Sequence, residues 1–284
     1  MNKKDIHTII IPDIHGRTFW KDTLKSFPKE EFSNIPIIFL GDYLDPYPFE
    51  NISEETTFEN FKEIIEVAKN DNRIHLLIGN HDFHYFYNAR TKVRYMYHFS
   101  KDIRQLFENN FDLFNIAYEE TINDEKYLYT HAGVTSYWIQ HLQFMGKRGI
   151  DLNKETRKDA KGNLIKRIPD EQLPFCEMLL NMTPEAEKLN KMLYNYQGQA
   201  NLWMISMDRG GDDSCGSCIW ADLYEFNYKN AIIPGINQIF AHNLAYGGFD
   251  TAVIDKDKKI AMLDSRRSWC LDNFGKLELI ENVK

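Results

Sequence analysis

The chain has 284 residues, of which 43% are hydrophobic and 14% aromatic, so a packed core is possible and disordered or fibrous classes are excluded. The formal net charge of -8 argues against nucleic acid or an anionic membrane surface as a partner. A small phosphorylated ligand remains compatible with this charge.

A single domain over residues 1–284 is predicted, although this length could also form two. The apolar run Ile9–Ile11 is too short for a secretory leader and ends at Pro12. No stretch approaches the roughly 20 apolar residues of a membrane helix. The cytoplasm is therefore the predicted location.

Short apolar runs recur in the first half of the chain, and each ends at polar residues. Their lengths and their Gly, Pro, Asn and Asp borders predict buried strands over Ile6–Ile11, Ile35–Leu40, Ile74–Ile78 and Tyr127–Tyr129. Apolar residues three and four apart predict amphipathic helices over Phe19–Phe27, Glu54–Lys69 and Lys101–Asn109. Strands alternating with helices indicate parallel pairing through right-handed crossovers.

The pattern changes between residues 136 and about 213. Charged residues dominate 154–167, and a helix beginning at a proline is predicted over Pro184–Tyr196. We interpret this region as a partly helical insertion or cap. Strands then resume at Gln238–Ala241, Thr251–Ile254 and Ile260–Leu263, the last two joined by a hairpin turn.

Six residues with oxygen or imidazole donors each follow a predicted strand. In an open α/β sheet such positions converge at the carboxyl edge, where ligands bind. Two neighbouring divalent cations need about this many donors, and a central carboxylate, here Asp42, can bridge them. The six candidate ligands are Asp13, His15, Asp42, Asn80, His131 and His242.

Five strings resemble, in order and spacing, the signature of calcineurin-like metallophosphoesterases. They are Pro-Asp-Ile-His-Gly-Arg at 12–17, Gly-Asp-Tyr-Leu-Asp at 41–45, Gly-Asn-His-Asp at 79–82, Thr-His-Ala-Gly at 130–133 and Ala-His-Asn at 241–243. Ile-Trp-Ala-Asp at 219–222 is similar to an element of the phosphoprotein phosphatase branch, which includes serine/threonine phosphatases and diadenosine tetraphosphatases. The resemblance implies an α/β fold, a four-layer αββα sandwich.

The resemblance also implies roles for individual residues. Asp13, His15 and Asp42 would bind one metal, and Asp42, Asn80, His131 and His242 the other, with a bridging hydroxide as nucleophile. His81, oriented by Asp45, would protonate the leaving group, which suits a histidine held by a carboxylate. Mixed imidazole and carboxylate ligands admit manganese, iron or zinc.

Two positions depart from the branch. Pro46 stands where the protein phosphatases carry a phosphate-clamping arginine, and Leu244 stands where broader relatives have a last histidine ligand. An arginine at another position of the chain could bind the phosphate through two hydrogen bonds from its guanidinium group. The candidates are Arg17 and Arg209 first, with Arg90, Arg94 and Arg266.

The predicted reaction is hydrolysis of a phosphomonoester. The substrate would be a phosphorylated small molecule, a nucleotide or a phosphoprotein. Hydrolysis of a dinucleotide polyphosphate or cyclic nucleotide is an alternative, and a non-catalytic metal-stabilised scaffold is a second. Asp45 and His81 argue against the scaffold, which needs no leaving-group acid.

Other polar and aromatic residues are predicted to be structural. Asp82 is expected to orient neighbours or to form a turn, and the aromatic residues around Tyr85 to pack in the core. The thiols of Cys215 and Cys218 are expected to be reduced, with zinc binding or redox use as the alternative. Histidines without a motif are expected to be structural or exposed: His7, His75, His84, His98 and His141.

Overall fold

The structure is a computed structural model that describes residues 2–87, 94–243 and 251–282. Two residues discussed above, Arg90 and Leu244, lie outside the described residues. The strands are β1 (Ile6–Ile11), β2 (Ile37–Phe39), β3 (Ile74–Leu77), β4 (Phe114–Asn115), β5 (Ala117–Ile122), β6 (Glu125–Thr130), β7 (Thr156–Lys158), β8 (Leu164–Lys166), β9 (Ile236–Phe240), β10 (Val253–Asp255), β11 (Ile260–Met262), β12 (Trp269–Asp272) and β13 (Leu277–Leu279). The α-helices are α1 (Phe19–Ser26), α2 (Glu54–Asn70), α3 (Asn80–Tyr87), α4 (Ser100–Asn109), α5 (Ser136–Asn153), α6 (Leu173–Leu180), α7 (Ala186–Lys191), α8 (Tyr196–Leu202) and α9 (Leu223–Asn227).

The first sheet has the strand order β13-β12-β1-β2-β3-β4. Strands β1 to β4 pair in parallel, with Ile10 opposite Ile38 and Leu76 opposite Phe114. This confirms the parallel pairing that the alternation of strands and helices predicts. The antiparallel strands β12 and β13 extend the sheet beyond β1.

The second sheet has the order β10-β11-β9-β6-β5 and mixes parallel with antiparallel pairs. Its strands come from the middle and the end of the chain. The alternation of strands and helices in the first half of the chain does not predict this second sheet, whereas the family resemblance implies it.

The two sheets face each other across an apolar layer. Ile10, Ile38 and Leu77 of the first sheet pack there with Tyr129 and Ile239 of the second. On the outer face of the first sheet, buried residues of β1 and β2 pack in one cluster with residues of α1 and α2. On the outer face of the second, Phe240 stacks on Phe226 of α9, with ring centroids 5.1 Å apart. Successive side chains of a strand point to opposite faces, so both faces are covered and the αββα architecture is confirmed.

Helix α2 begins where its sequence predicts. The Ser53 hydroxyl accepts a hydrogen bond from the Thr56 amide, and Phe61, Ile64 and Ile65 are buried on one face. The cap satisfies an amide that has no partner within the helix.

The helix predicted over Pro184–Tyr196 is wrong in both its start and its continuity. Helix α7 begins at Ala186, and the chain is extended at Asn195. The Asn195 side chain accepts hydrogen bonds from the amides of Gln197 and Gly198, so it caps a new helix, α8. A local side-chain bond of this kind competes with helix continuation.

Residues 136–213 contain helices α5 to α8 and an exposed two-stranded sheet, β7 with β8. The segment ends near the carboxyl edge of the sheets, where Asp208 and Arg209 line a cavity. Its status as an insertion, and the single-domain organisation, stay predictions. Within the described residues, no helix combines the length and apolarity needed to cross a membrane.

Candidate metal centre

The six predicted ligands lie just beyond the ends of five strands, three in the first sheet and two in the second. Asp13 and His15 follow β1, Asp42 follows β2, Asn80 follows β3, His131 follows β6 and His242 follows β9. All six are buried. The carboxyl ends of these strands meet at one edge, and the structure brings the six residues together there.

The first group comprises Asp13, His15 and Asp42, each of which offers a ligand atom within 4.8 Å of the others. His15 bonds through Nδ1 to the carbonyl oxygen of Leu44 at 2.7 Å, and its Nε2 lies 3.5 Å from Asp42 Oδ2. Burial lowers the pKa of His15 to about 3, so the ring is neutral. Its Nδ1 donates to the carbonyl, and Nε2 therefore presents a lone pair to the carboxylate.

The second group comprises Asp42, His131 and His242, with the same spacing of ligand atoms. His131 Nδ1 bonds to the Leu40 carbonyl oxygen at 2.9 Å, and burial lowers the pKa of this ring. Its Nε2 then carries a lone pair, which lies 3.0 Å from Asn80 and 3.1 Å from His242 Nδ1. Asp42 belongs to both groups, as a bridging carboxylate would.

The donor set fits cations rather than internal hydrogen bonds. His131 Nε2, Asn80 Oδ1 and Asp42 Oδ1 are all acceptors, and they converge at 3.0 to 3.5 Å. Facing lone pairs repel unless a positive charge lies between them, and metal-bound histidines characteristically donate their other N–H to a carbonyl. Among the residues that the structure describes, His242 Nε2 is buried without a hydrogen-bond partner.

Buried carboxylates at the centre also call for positive charge. Burial, with Asp264 and Asp42 nearby, raises the pKa of Asp13 well above its usual value. Burial raises the pKa of Asp264, which follows β11, to about 7 despite the opposing effect of Arg17. Divalent cations would relieve the repulsion among these groups.

Backbone strain is concentrated at this centre. His15, Asp42, Asp45 and His242 have φ values of 44°, 53°, 57° and 71°, in the left-handed region. Asp, Asn and His tolerate this region better than most residues, but it still carries a cost. Strain of this kind persists where surrounding contacts impose it, and it clusters at functional sites.

Asp82 supplies one such contact. Its carboxylate accepts hydrogen bonds from the amides of Asp42, Tyr43 and Gly79 at 2.7 to 3.0 Å. A β-carbon on Gly79 would lie 2.1 Å from Asp42 Oδ1, so only glycine lets the two loops approach this closely. Asp82 therefore orients the loop of Asp42, in agreement with its predicted structural role.

The predicted acid, His81, lies beside the two groups and lines the same cavity. Its Nδ1 is 2.7 Å from Asp45 Oδ2. Burial alone would raise the pKa of Asp45, but the hydrogen bond from His81 and the close contact with His84 outweigh it and hold the pKa below its usual value. An ionised Asp45 can therefore orient the His81 ring, leaving Nε2 for a substrate.

Two further residues contact the His81–Asp45 pair. His84, predicted to be structural or exposed, lies with Nε2 2.9 Å from Asp45 Oδ2. Tyr85 packs in the core as predicted, and its hydroxyl also donates to Asp45 Oδ1 at 2.5 Å. Both are buried on α3. Their spacing of three and four residues from His81 is the signal that could have identified them, because such residues share a helix face.

A cavity of about 540 Å³ opens over the centre, and two arginines line it. Arg94 donates through Nε to the Asp45 carbonyl oxygen at 2.9 Å, and its guanidinium lies 3.7 Å from the centroid of Tyr47. Arg209 pairs weakly with Asp222 at 3.7 Å. Arg17, in contrast, donates to both carboxylate oxygens of Glu50 and is not among the residues that line this cavity.

The four cysteines belong to none of the candidate metal-binding groups within the described residues. All four are buried thiols, none of which forms a disulfide in the part of the chain that the structure describes, and burial raises the pKa of the Cys215 thiol to about 11. These observations agree with reduced, structural thiols.

A model of the family described as calcineurin-like phosphoesterase matches residues 6–197, which is more than half of the chain. The chain belongs to the calcineurin-like phosphoesterase family. It is thus a hydrolase of phosphoric esters, and the buried Asp and His groups are candidate sites for the metals on which this family depends.

Two solved structures resemble this phosphoesterase along nearly all of its length. One, described as a candidate diadenosine tetraphosphatase, shares 14% identity with a TM-score of 0.41 and covers 99% of this chain and 95% of its own. The other is a protein serine/threonine phosphatase from Saccharomyces cerevisiae with similarity to human phosphatase PP5, at 14% identity, a TM-score of 0.42 and coverage of 99% and 82%. A comparison with curated protein sequences found no match. At these similarities neither neighbour assigns a substrate to the phosphoesterase.

Proposed function

We propose that this phosphoesterase hydrolyses a phosphomonoester with a pair of divalent cations, manganese, iron or zinc. Asp13, His15 and Asp42 would hold one cation, and Asp42, Asn80, His131 and His242 the other. The observation that carries the proposal is the sharing of Asp42 by two groups of donors beside His81, which Asp45 orients. When bound, such cations act as Lewis acids on phosphate oxygens and supply a hydroxide nucleophile near neutral pH.

His81 would supply the proton that the leaving group needs. With Nδ1 donating to Asp45, a protonated His81 can transfer the proton on Nε2 to the departing alkoxide oxygen. Asp45 stabilises the imidazolium before this transfer. The contact also argues against a non-catalytic scaffold, in which a buried His–Asp pair at the cavity would have no role.

Arg94 and Arg209 would bind the phosphate in place of the arginine missing at Pro46. Arg94 is held against the same loop, through the Asp45 carbonyl oxygen and the Tyr47 ring. Its Nη2 is buried and, among residues 2–87, 94–243 and 251–282, has no hydrogen-bond partner. Arg17 is a weaker candidate because Glu50 already occupies its guanidinium.

The first experiment compares metal-free and metal-loaded protein. Protein treated with a chelator is expected to be inactive on p-nitrophenyl phosphate. Titration with manganese, iron or zinc should restore the activity, and calorimetry of the same titration should show two cations bound per chain. A phosphoserine peptide, diadenosine tetraphosphate and bis(p-nitrophenyl) phosphate are assayed in parallel. Activity that survives chelation, or a preference for the diester, would contradict the proposal.

A second candidate substrate class has one observation in its favour. A neighbouring cavity of about 270 Å³ shares Tyr47, Arg209 and His242 with the first. Its lining includes Tyr224 and Tyr228, whose rings stack with centroids 4.5 Å apart. Aromatic rings of this kind stack nucleobases, which favours a dinucleotide polyphosphate or a cyclic nucleotide. Faster turnover of diadenosine tetraphosphate than of the monoesters would select this class.

The proposed clamp gives a separate prediction. Arg94→Ala and Arg209→Ala are each expected to raise the inhibition constant of inorganic phosphate about tenfold, because a hydrogen bond to a charged group contributes about 1.5 kcal/mol or more. Competitive inhibition of p-nitrophenyl phosphate hydrolysis measures this constant. Arg148→Ala, an exposed arginine on α5, is the matched control. Unchanged phosphate inhibition in both variants would exclude the clamp.

A further inference from the structure

The Asp45 carboxylate receives three side-chain contacts from one helix. Its Oδ2 lies 2.7 Å from His81 Nδ1 and 2.9 Å from His84 Nε2, and its Oδ1 accepts a hydrogen bond from the Tyr85 hydroxyl at 2.5 Å. All four side chains are buried. The leaving-group proposal uses only the first of these contacts, so the other two have no assigned role.

We propose that His84 is a positioning residue, which together with Tyr85 fixes the Asp45 carboxylate and through it the ring of His81. This inference rests on the proposed role of His81 as the leaving-group acid. A carboxylate bonded to His81 alone could rotate about its Cβ–Cγ bond. A hydroxyl on one oxygen and a second imidazole on the other restrict that rotation.

The geometry favours positioning over an alternative metal site. Asp45, His81 and His84 could also surround a cation, since their ligand atoms lie within 4.8 Å of one another. However, both imidazole nitrogens contact the same carboxylate oxygen, at 2.7 and 2.9 Å, which is closer than the 3.0 to 3.5 Å that separate His131 Nε2 from its neighbours at the main centre. The His81 contact is a hydrogen bond, whereas His84 Nε2 lies at this distance without hydrogen-bond geometry. At the main centre, in contrast, the lone pair of His131 Nε2 faces the Asn80 amide oxygen.

Positioning matters because proton transfer depends strongly on geometry. A small misplacement of a catalytic group, on the order of 1 Å, can lower the rate by about 10²-fold. Asp45 itself lies in the left-handed region, with φ at 57°, a backbone conformation that persists only where surrounding contacts impose it. The contacts from α3 supply the missing restraint.

The test uses leaving groups that differ in their need for a proton. Phosphoserine releases an alkoxide and needs the acid, whereas p-nitrophenyl phosphate releases a stable phenolate and needs it little. His84→Leu is expected to lower kcat for phosphoserine about 10- to 10²-fold, a part of what acid catalysis supplies. Its kcat for p-nitrophenyl phosphate should fall less than about threefold, with KM and manganese content unchanged.

Three further variants make the test specific. His84→Gln keeps an N–H donor at a similar reach and should restore most of the phosphoserine activity. Tyr85→Phe removes the other contact and should show the same leaving-group dependence, even if His84→Leu folds poorly. His75→Leu is the control, because His75 lies on β3 with its ring against Tyr118; it should affect neither substrate.

The outcomes separate this inference from the proposed function. Equal losses on both substrates, or a phosphoserine loss in His81→Asn/His84→Leu beyond that of His81→Asn alone, would overturn the positioning role. Loss of a bound cation in His84→Leu would instead assign a metal site and overturn it too. If His81→Asn itself shows no leaving-group dependence, the proposed acid fails as well.

Discussion

An Asp42→Asn variant is expected to lose both cations together and to lose phosphatase activity by about 10³-fold or more, since metals contribute several kcal/mol to such reactions. Asp42 is the one residue common to the two groups of candidate ligands. An amide keeps one oxygen acceptor but removes the negative charge that the two cations would share. Calorimetric titration with manganese and elemental analysis measure the binding directly.

The control for this variant is Asp112→Asn, which removes the same charge from an exposed position. It should retain two cations per chain and full activity. Because Asp42 Oδ1 also accepts a hydrogen bond from the His81 amide, circular dichroism should verify that the variant is folded. A folded Asp42→Asn protein that binds two cations with unchanged affinity would exclude the bridging role.

The second large effect is expected at His81. His81→Asn should lower kcat for an alkyl phosphomonoester by roughly 10²- to 10⁴-fold, the range that general acid catalysis supplies. Asparagine can still donate a hydrogen bond to Asp45 but cannot release a proton to the leaving group. Metal content should stay unchanged, because His81 belongs to neither of the two groups proposed to bind the cations.

Parallel assays on phosphoserine and p-nitrophenyl phosphate measure this effect. The loss should be much smaller on p-nitrophenyl phosphate, whose leaving group needs little protonation. Undiminished turnover of phosphoserine by His81→Asn, with normal metal content, would rule out His81 as the acid. An accompanying loss of metal would show that its role is structural.

Local sequence signals predicted the central strands and their parallel order well. Runs such as Ile6–Ile11 coincide with β1, and Ser53 marks the start of α2 within one residue. These signals work because burial and capping depend on residues close together in the chain. The broken helix near Asn195 was not predicted, since the two amide hydrogen bonds that the Asn195 side chain accepts overrode a helical pattern.

The candidate metal ligands could also be predicted from the sequence, because each one follows a strand whose end is marked by local residues. The additional partners of the His81–Asp45 pair were not predicted. His84 and Tyr85 acquire their relation to Asp45 only when α3 packs against the loop after β2. The same holds for the arginines: Arg17 was a leading candidate for the phosphate, but Glu50 holds its side chain.

The sequence by itself determined the family, the α/β class and the residue types available for two cations, because these depend on ordered motifs at strand ends. The family resemblance also implied the sharing of Asp42 and the pairing of His81 with Asp45. The tertiary structure alone decided that His84 and Tyr85 contact Asp45 as well, and which guanidinium groups line the cavity. The reason is physical. Contacts between segments that are distant in sequence depend on how the two sheets and the helices over them pack. A local sequence pattern does not specify which of these segments come into contact.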